Sequence, residues 1–425
     1  MSEFSPVRLT LPGPLTPSLV LEVLPYGLTI HKFLVQADGR TNDIVIGPED
    51  PEGHKTQKYT NTIVGRYANR IPVGIHQLER HGIKAELDTQ PNETPEVSLH
   101  GGPVGYDAKA WDVLSLEDPP TLFSAVELSQ IGSLADGSYA FFRLVSPSGD
   151  QGYPGKLVVE TLIALVPPEK AQSVQGVAAL GSAILIYRAK LDSEGIKTVT
   201  PVNLTQHWGF NLDASLREGE DSLSVKKHTL NIKADHIAEL GPSALGTGNY
   251  IPTSSRPEHA HKAKVIGDLF PPSGYDDYYL FEKEARATVP SRLPLTSFND
   301  NFDYVKDLLR PADDPERGSR ALPVVELSAP GSGLSLAFDS NQLGAMFYSN
   351  ALSVASKGAR KKIHGGSGIS GHGDAYPPHT AAFLEFHNPL AAFLYEENKD
   401  DEDTLLTSDE LYHNYVRVDV QVKRS

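Results

Sequence analysis

Alternation of apolar and polar residues recurs along this chain and restricts its fold more than any other feature. The pattern is clearest in YVRVDVQV at 415–422, where valine occupies every second position. Successive side chains of a strand point to opposite faces, so such a segment indicates a strand with one buried face. Similar strand patterns lie at 156–165, 182–191, 322–329 and 333–340.

Helical periodicity is scarce by comparison. The best amphipathic stretch is NDNFDYVKDLL at 299–309, for which we expect a short helix. The chain contains 36 glycines and 32 prolines, and turn-forming clusters of them, such as 146–155 and 271–277, separate the strand patterns. Many short strands joined by such turns are typical of a β-sandwich or a β-barrel. An all-β protein is therefore predicted.

The chain shows no internal repeat and no segment with the composition of a linker. We therefore expect one domain over residues 1–425, with surface insertions near 167–181, 357–379 and 396–404. The last of these is interpreted as an acidic, solvated loop. The basic run KGARKKIH at 357–364 is interpreted as a solvated loop as well.

The glycine-rich stretch HGGSGISGHGDAYPPH at 364–379 contains three histidines. A phosphate-binding loop would need a following Lys-Ser/Thr and the start of a helix, and neither is present. The spacing of the histidines is only a weak signal for zinc, so we expect a mobile loop.

Charge and composition exclude several classes of protein. The formal net charge is −16, which disfavours nucleic-acid and anionic-membrane partners because phosphates repel such a surface. The chain has no cysteine, so disulfides and thiolate catalysis are excluded. No signal peptide is recognisable, and no apolar run approaches the roughly 18 residues of a membrane span. We expect a cytoplasmic protein.

One strand-like segment, TPVNLTQHWGFNL at 200–212, carries a histidine where an apolar residue would be usual. In an extended chain Thr205, His207 and Gly209 share one face, while Trp208 points to the other. Glycine leaves space beside the imidazole, which a ligand could use. Trp208 is expected in the core or at its rim.

Polar side chains also interrupt four other strand-like or turn segments. These are VGRYANRIPVG (64–74), SLHGGPVGYDAKAWDV (98–113), SGYDDYYLF (273–281) and AAFLEFHNP (381–389).

Each of the four segments offers a candidate ligand-binding or catalytic residue. Asn69 and Arg70 are adjacent, so both can reach one ligand only where a strand ends or bulges. His100 precedes two glycines, which allow a ligand to approach the backbone closely, and Asp276 falls at a predicted turn. Glu385 lies within an apolar run, where burial raises the pKa of a carboxyl group and can place a base near neutral pH.

Taken together, these motifs resemble the galactose mutarotase (aldose 1-epimerase) family over nearly the whole chain. The matching motifs occur in the family's order. They are GRYANRI (65–71), LHGG (99–102), GYPG (152–155), TPVNLTQHWGFNL (200–212), GYD (274–276) and SDELYHNYVRVDVQV (408–422).

The resemblance implies a large antiparallel β-sandwich with a sugar cleft on one face and few short helices. It places the catalytic acid of the family on His207 and the catalytic base on Glu385. The sugar-binding positions of the family fall on Asn69, Arg70, His100 and Asp276.

The chemistry implied is the interconversion of α and β anomers of a free hexose such as galactose or glucose. Ring opening needs a base that takes the proton of the C1 hydroxyl and an acid that protonates the ring oxygen. Glu385 and His207 are residue types suited to these roles, each worth roughly 10²–10⁴ in rate. No cofactor and no metal are predicted, and the partner is a monosaccharide. The expected assembly is a monomer or a homodimer.

The sequence departs from the family at three places near the site. The usual NHSYFNL is QHWGFNL here, Met346 stands where a glutamine is common, and His387 follows the predicted base in place of the usual residues. These changes affect the hexose preference more than the reaction. His387 is expected to have a structural role.

Three alternatives remain open at this point. One is a catalytically silent sugar-binding or regulatory protein with the same fold. Another is a metal enzyme in which His100, His207 and Glu385 form a site of two histidines and one carboxylate. The third is an epimerase of a phosphorylated hexose, which would need more positive charge near the cleft than Arg66 and Arg70 supply.

Overall fold

The computed structural model describes residues 2–13, 16–115, 117–169, 176–192, 195–217, 223–312, 323–349, 360–399 and 402–423. Within these ranges the chain forms 28 strands and one α-helix. The first strands are β1 Val7–Leu11, β2 Leu19–Leu24, β3 Thr29–Ala37, β4 Arg40–Asp43, β5 Ile63–Val64, β6 Arg70–Pro72, β7 Gly74–Arg80, β8 Ile83–Thr89, β9 Val97–Leu99, β10 Asp112–Val113, β11 Tyr139–Ser146, β12 Leu157–Val166, β13 Val177–Leu191 and β14 Val199–Pro201. The others are β15 Thr205–Gln206, β16 Trp208–Phe210, β17 Thr229–Ile232, β18 Ala234–Leu240, β19 Gly246–Pro252, β20 Lys264–Val265, β21 Asp276–Phe281, β22 Arg292–Pro294, β23 Val325–Ser328, β24 Leu334–Ser340, β25 Gly344–Tyr348, β26 Ala382–His387, β27 Leu405–Thr407 and β28 Glu410–Lys423.

The α-helix is α1, Ala125–Ile131, and it begins with a capping box formed by Ser124 and Glu127. Short 3₁₀ segments join many of the strands. They are Pro51–Lys55, Tyr106–Ala108, Asp150–Gly152, Ala214–Leu216, Val225–Lys227, Thr253–Ser255, Pro257–His259, Lys283–Ala285, Leu295–Ser297, Lys362–His364, Ala392–Leu394 and Glu396–Asn398.

Two large antiparallel sheets dominate the described part of the chain. The first has ten strands in the order β10-β11-β12-β13-β28-β24-β23-β17-β20, with β22 paired to β28. The second has six strands in the order β16-β26-β25-β21-β18-β19. A smaller sheet, β1-β2-β3-β4, and four two-stranded ribbons, β5/β15, β6/β9, β7/β8 and β14/β27, complete the structure.

The main hydrophobic core lies between the two large sheets. Phe338 of β24, in the ten-stranded sheet, contacts Trp208, Phe210 and Phe386 of the six-stranded sheet, with ring centroids 6.2, 5.5 and 5.2 Å apart. Alternate valines of β28 belong to the same buried cluster. The predicted all-β fold, a large antiparallel β-sandwich, is confirmed, and Trp208 lies in its core as expected.

The strand predictions are confirmed, with changes in length. The pattern at 415–422 belongs to β28, which begins earlier, at Glu410. The pattern at 182–191 belongs to β13, which begins at Val177 and pairs with β28. Residues 177–181 of the expected insertion therefore continue a central strand, whereas residues 170–175 lie outside the described residues.

The helix predicted at 299–309 is wrong. The backbone there makes turns, and its polar groups bond to side chains instead of completing a helical ladder. Oε1 of Glu127 accepts the N–H of Tyr304 at 2.9 Å, and the guanidinium of Arg417 donates to the carbonyl of Leu308. Because these bonds come from residues far along the chain, local periodicity does not reveal them.

Two loops that were expected to be solvated contain buried charges. The side chain of Lys361, in the basic run, is 0% exposed and bonds to Oδ2 of Asp43 at 2.7 Å. Asp403, in the acidic segment, is 3% exposed and pairs with Arg80 at 2.9 Å. The prediction that both loops are solvated is therefore wrong at Lys361 and at Asp403. His364 is also buried, with its Nε2 atom 2.7 Å from the carbonyl oxygen of Asp43.

Within the described ranges, no helix combines the length and the apolar character needed to cross a bilayer. The assignment of residues 1–425 to one domain stays a prediction.

Candidate active site

The candidate site lies on the face of the six-stranded sheet that points away from the main core. Strands β16 and β26 pair so that Trp208 lies opposite Leu384 and Gly209 opposite Phe383. Because side chains alternate along a strand, Glu385 shares the outer face with Phe383, and His207, just before β16, lies opposite Glu385. The strand register therefore brings together the predicted acid and the predicted base.

The imidazole of His207 and the carboxyl group of Glu385 are in direct contact. Nε2 of His207 lies 3.2 Å from Oε1 of Glu385, and the two side chains are 10% and 3% exposed. Among the described residues, Nδ1 of His207 and Oε2 of Glu385 are buried without a hydrogen-bond partner. Buried polar atoms without a partner are costly, and such atoms are typical of sites that bind a ligand.

Burial shifts the proton affinities of both groups toward their neutral forms. The pKa of Glu385 is raised to about 8 by burial and by the nearby charge of Asp276, although Arg70 opposes the shift. The pKa of His207 is lowered to about 4, mainly by burial. At neutral pH the pair therefore holds one proton, on the carboxyl group, next to a neutral imidazole.

Asn69 and His100 hold each other in place at the edge of the cleft. Both residues have left-handed backbone angles, with φ of 63° and 52°. The N–H of Asn69 donates to Nδ1 of His100 at 3.2 Å, and the N–H of His100 donates to the carbonyl oxygen of Asn69 at 3.0 Å. Since Nδ1 accepts a hydrogen bond, the neutral ring carries its proton on Nε2. His100 stays neutral because burial, and then the nearby His207, lower its pKa well below the usual value.

Arg70 begins strand β6 directly after Asn69, so both side chains reach the cleft because the strand starts there, as expected. The guanidinium makes a bidentate contact with Glu93, at 2.7 and 2.9 Å. Its Nη2 atom also lies 3.6 Å from Oδ2 of Asp276, at the start of β21. The pKa of Asp276 is raised because desolvation outweighs the attraction to Arg70.

All six predicted site residues line one cleft of about 350 Å³. Clefts that bind small molecules are commonly about 300–1,000 Å³. The lining residues are Lys58, Tyr59, Thr60, Asn69, Arg70, Glu93, Leu99, His100, His207, Asp276, Tyr348, Phe383 and Glu385.

Several residues of this cleft were missed by the sequence analysis. Glu93 clamps Arg70, and Tyr59 packs its ring 4.7 Å from that of His100. Phe383 and Tyr348 form an aromatic wall, with centroids 5.7 Å apart. The alternation along β26 gave a signal for Phe383, two residues before the predicted base, whereas Tyr59 and Glu93 lie in loops without one.

The sequence predicted open space beside His207, and this prediction is wrong in one respect. Gly209 does share the face of His207, but a Cβ atom on it would lie 2.6 Å from the ring of Phe383. That ring also contacts His207, with centroids 4.8 Å apart. Glycine therefore makes room for an aromatic side chain from the neighbouring strand, and that side chain lines the cleft together with His207.

Two of the three departures from the family pattern share the sheet face of Glu385 but are not among the residues that line the cleft. Met346 is 1% exposed and packs in a small cluster with Tyr278 and Leu390. His387 is 0% exposed, and its Nε2 atom lies 3.0 Å from Nδ2 of Asn69. Both side chains are therefore buried beside the residues that line the cleft.

Three of the cleft residues could in principle hold a metal ion. His100, His207 and Glu385 each offer one donor atom, and these atoms lie within 4.8 Å of one another. However, Nδ1 of His100 accepts the N–H of Asn69, which leaves the proton on Nε2 and no lone pair there for an ion. The arrangement favours hydrogen bonding to a polar ligand over metal binding.

Comparison with known proteins identifies the family. A family model described as aldose 1-epimerase matches residues 16–171 and 181–381. The chain belongs to the aldose 1-epimerase family. The matched ranges include Asn69, Arg70, His100, His207 and Asp276, and they end just before Glu385.

Curated relatives of the chain are also proteins of this family. The chain is 32% identical to the galactose mutarotase of Bos taurus over 232 residues, which is 54% of this chain and 54% of that protein. It is 25% identical to the aldose 1-epimerase of Escherichia coli K12 over 273 residues, 62% of this chain and 65% of that protein. The aligned part thus spans just over half of the length of the first of these relatives.

Solved structures share the fold over nearly the full chain. A GalM/aldose epimerase homologue from C. elegans has a TM-score of 0.66 at 17% identity and covers 98% of both chains. The galactose 1-epimerase from Lactobacillus acidophilus has a TM-score of 0.60 at 18% identity, over 95% of this chain and 91% of that one. At these identities the likeness shows the fold alone.

Proposed function

We propose that this chain is an aldose 1-epimerase that interconverts the α and β anomers of a free hexose such as galactose or glucose. The observation that carries the proposal is the contact of 3.2 Å between His207 and Glu385 in a polar cleft. The ring oxygen and the anomeric hydroxyl of a pyranose are bonded to the same carbon. An acid and a base that act on both must therefore lie close together, as these two groups do.

The single proton that the pair shares at neutral pH suits this reaction. Transfer of the proton from Glu385, with a pKa of about 8, to His207, 3.2 Å away and with a pKa of about 4, is uphill, so the ring-opening transition state must stabilise the charged pair. Glu385 would then be the carboxylate that takes the C1 hydroxyl proton, and His207 the imidazolium that protonates the ring oxygen. The C1–O5 bond breaks, the open aldehyde rotates about C1–C2, and closure on its other face returns both protons.

The remaining polar residues would hold the sugar while C1 turns. Nε2–H of His100 is a donor, and the carboxylate of Asp276 is an acceptor. Arg70 donates from a guanidinium that Glu93 fixes in position. Holding the hydroxyl groups far from C1 limits the motion of the ring without restraining the reacting bond.

Polarimetry of freshly dissolved α-galactose tests the proposal. The wild-type protein should accelerate the change of optical rotation beyond the spontaneous rate. Glu385→Gln and His207→Gln should each lower kcat by about 10²–10⁴. Glu79→Gln, which changes an exposed glutamate of β7, is the matched control and should keep full activity.

Two outcomes would contradict the proposal. A wild-type protein that binds hexoses without changing the rate of mutarotation would be a silent sugar-binding protein. A Glu385→Gln variant with undiminished activity would remove the carboxyl group from the mechanism.

A further inference from the structure

The orientation of the Asn69 amide is fixed by a buried histidine outside the cleft. Nδ1 of His387 lies 2.7 Å from the carbonyl oxygen of Asn388. A carbonyl oxygen can only accept a hydrogen bond, so Nδ1 carries the proton and Nε2 of the neutral ring is an acceptor. Because Nε2 lies 3.0 Å from the side-chain amide of Asn69, that amide must offer its nitrogen to His387.

Several contacts fix the position of His387. The carbonyl oxygen of Asn388 also accepts Nδ2 of Asn203 at 3.0 Å, which anchors the acceptor. The hydroxyl of Tyr278 donates to the carbonyl oxygen of His387 at 3.0 Å, and its ring lies 5.1 Å from the imidazole. His387 is 0% exposed, and rotation of its ring would break the bonds to Asn388 and Asn69.

The consequence for the cleft is a matched donor and acceptor. With its amide nitrogen held by His387, Asn69 keeps its Oδ1 atom for the cleft that it lines. Its backbone N–H simultaneously holds His100 in the tautomer that carries a proton on Nε2. The cleft is thus lined by one acceptor from Asn69 and one donor from His100, two residues that also bond to each other.

We propose that His387 is a positioning residue for substrate recognition, which acts through Asn69 to set this donor and acceptor pair for a single sugar hydroxyl. That hydroxyl accepts from Nε2–H of His100 and donates to Oδ1 of Asn69. The inference rests on the proposed function, because it specifies how that cleft selects a monosaccharide with a hydroxyl group at this point. A reversed amide would present a second donor to the hydroxyl and leave the O–H proton without an acceptor there.

The kinetic test compares variants of His387. His387→Leu removes the acceptor for the Asn69 amide and should raise KM for galactose about tenfold, the cost of one lost hydrogen bond, with kcat within about threefold. His387→Gln can place an amide oxygen where Nε2 lies, and it should restore KM to within about threefold of the wild type.

A buried histidine away from the cleft is the control. His228 is 0% exposed, and its Nε2 atom accepts the N–H of Leu212 at 3.0 Å. His228→Leu should lower the melting temperature as His387→Leu does, but leave KM unchanged. An equal rise of KM in both variants would reduce His387 to a purely structural role and overturn the inference.

Monodeoxygalactoses identify the hydroxyl. In the wild type, one of the 2-, 3-, 4- and 6-deoxy sugars should show a KM raised about 10- to 100-fold, because two hydrogen bonds are lost. In His387→Leu the penalty for that same sugar should shrink, while the penalties for the others stay unchanged. Penalties that stay unchanged at every position would contradict the inference.

The tautomer can be measured independently of any activity. In long-range ¹H–¹⁵N spectra, with His387 assigned from the His387→Gln variant, Nδ1 should be protonated and Nε2 unprotonated. The opposite tautomer would overturn the inference even if the enzyme is active. A wild type that neither turns over nor binds a hexose in calorimetry would overturn the proposed function, and with it the recognition role of His387.

Discussion

Nε2 of His207 lies 3.2 Å from Oε1 of Glu385, although the two residues come from distant parts of the chain. The pairing of β16 with β26 produces this contact, since Trp208 lies opposite Leu384 one position further along. A shift of the register by one residue would turn one of the two side chains into the core. The reaction proposed here therefore depends on strand pairing as much as on residue identity.

The pH dependence of kcat/KM should be bell-shaped. Above a pH of about 8 the carboxyl group of Glu385 loses its proton, and the pair no longer holds the proton that the ring oxygen needs. Below a pH of about 4 His207 is protonated while Glu385 keeps its proton, so no base remains. The two apparent pKa values of this profile belong to the coupled pair of Glu385 and His207 and not to either residue alone. Polarimetry between pH 3 and 9.5 checks this, and an activity that rises steadily through pH 9 would contradict it.

Glu385→Gln should be more stable than the wild type, and increasingly so at higher pH. The folded pKa of Glu385 is raised from 4.5 to about 8, so its contribution to stability is fully present below pH 4.5 and is lost as pH rises through about 8. One proton of difference is worth about 1.4 kcal/mol per pH unit. The stability gap should widen by about 2–4 kcal/mol between pH 5 and 8.

Urea unfolding of both proteins at each pH measures this gap. The lowered pKa of His207 weakens both proteins as the pH falls from about 6.5 to about 4, so it cancels in the comparison. A gap independent of pH would mean that Glu385 is not desolvated.

Removing Glu93, which holds the guanidinium of Arg70, should raise KM more than it lowers kcat. Glu93 makes two of the contacts that hold the guanidinium, at 2.7 and 2.9 Å. In Glu93→Ala we expect KM to rise about three- to tenfold with kcat nearly unchanged, since one positioning interaction is lost. Glu96→Ala, a change of an exposed glutamate nearby, should have no effect on KM. A fall of kcat at constant KM would place Glu93 in the chemistry itself.

Lys361→Met should destabilise the fold by about 3–5 kcal/mol, because it leaves a buried carboxylate without its partner. Nζ of Lys361 lies 2.7 Å from Oδ2 of Asp43 and also donates to the carbonyl oxygens of His31 and Val45, at 2.7 and 2.9 Å. Lys362→Met changes the exposed neighbour and should stay within about 0.5 kcal/mol of the wild type. Equal unfolding midpoints for the two variants in urea would contradict the buried pair.

The sandwich could be predicted from local patterns, and its irregular parts could not. The alternating valines at 415–422 indicate the buried face of β28 directly, because successive side chains of a strand point to opposite faces. The apolar spacing at 299–309 failed because α1 takes both partners of one helical bond: Glu127 accepts the N–H of Tyr304, and the carbonyl oxygen of Asp300 accepts the N–H of Val126. Lys361 looked solvated within its basic run, since its partner Asp43 lies far away in the sequence.

The candidate site was predicted more completely than its surroundings. Motifs located all six polar residues, and one cleft contains them. What the sequence could not show is how these residues are held: Glu93 against Arg70, and His387 against Asn69. Such contacts join segments whose relative position only the folded chain defines.

The most direct test of the central claim is a crystal structure of Glu385→Gln with bound galactose. The account predicts the anomeric hydroxyl within hydrogen-bond distance of the Gln side chain and the ring oxygen within hydrogen-bond distance of Nε2 of His207. A sugar bound in this cleft with its anomeric carbon turned away from both residues, or bound elsewhere, would contradict it.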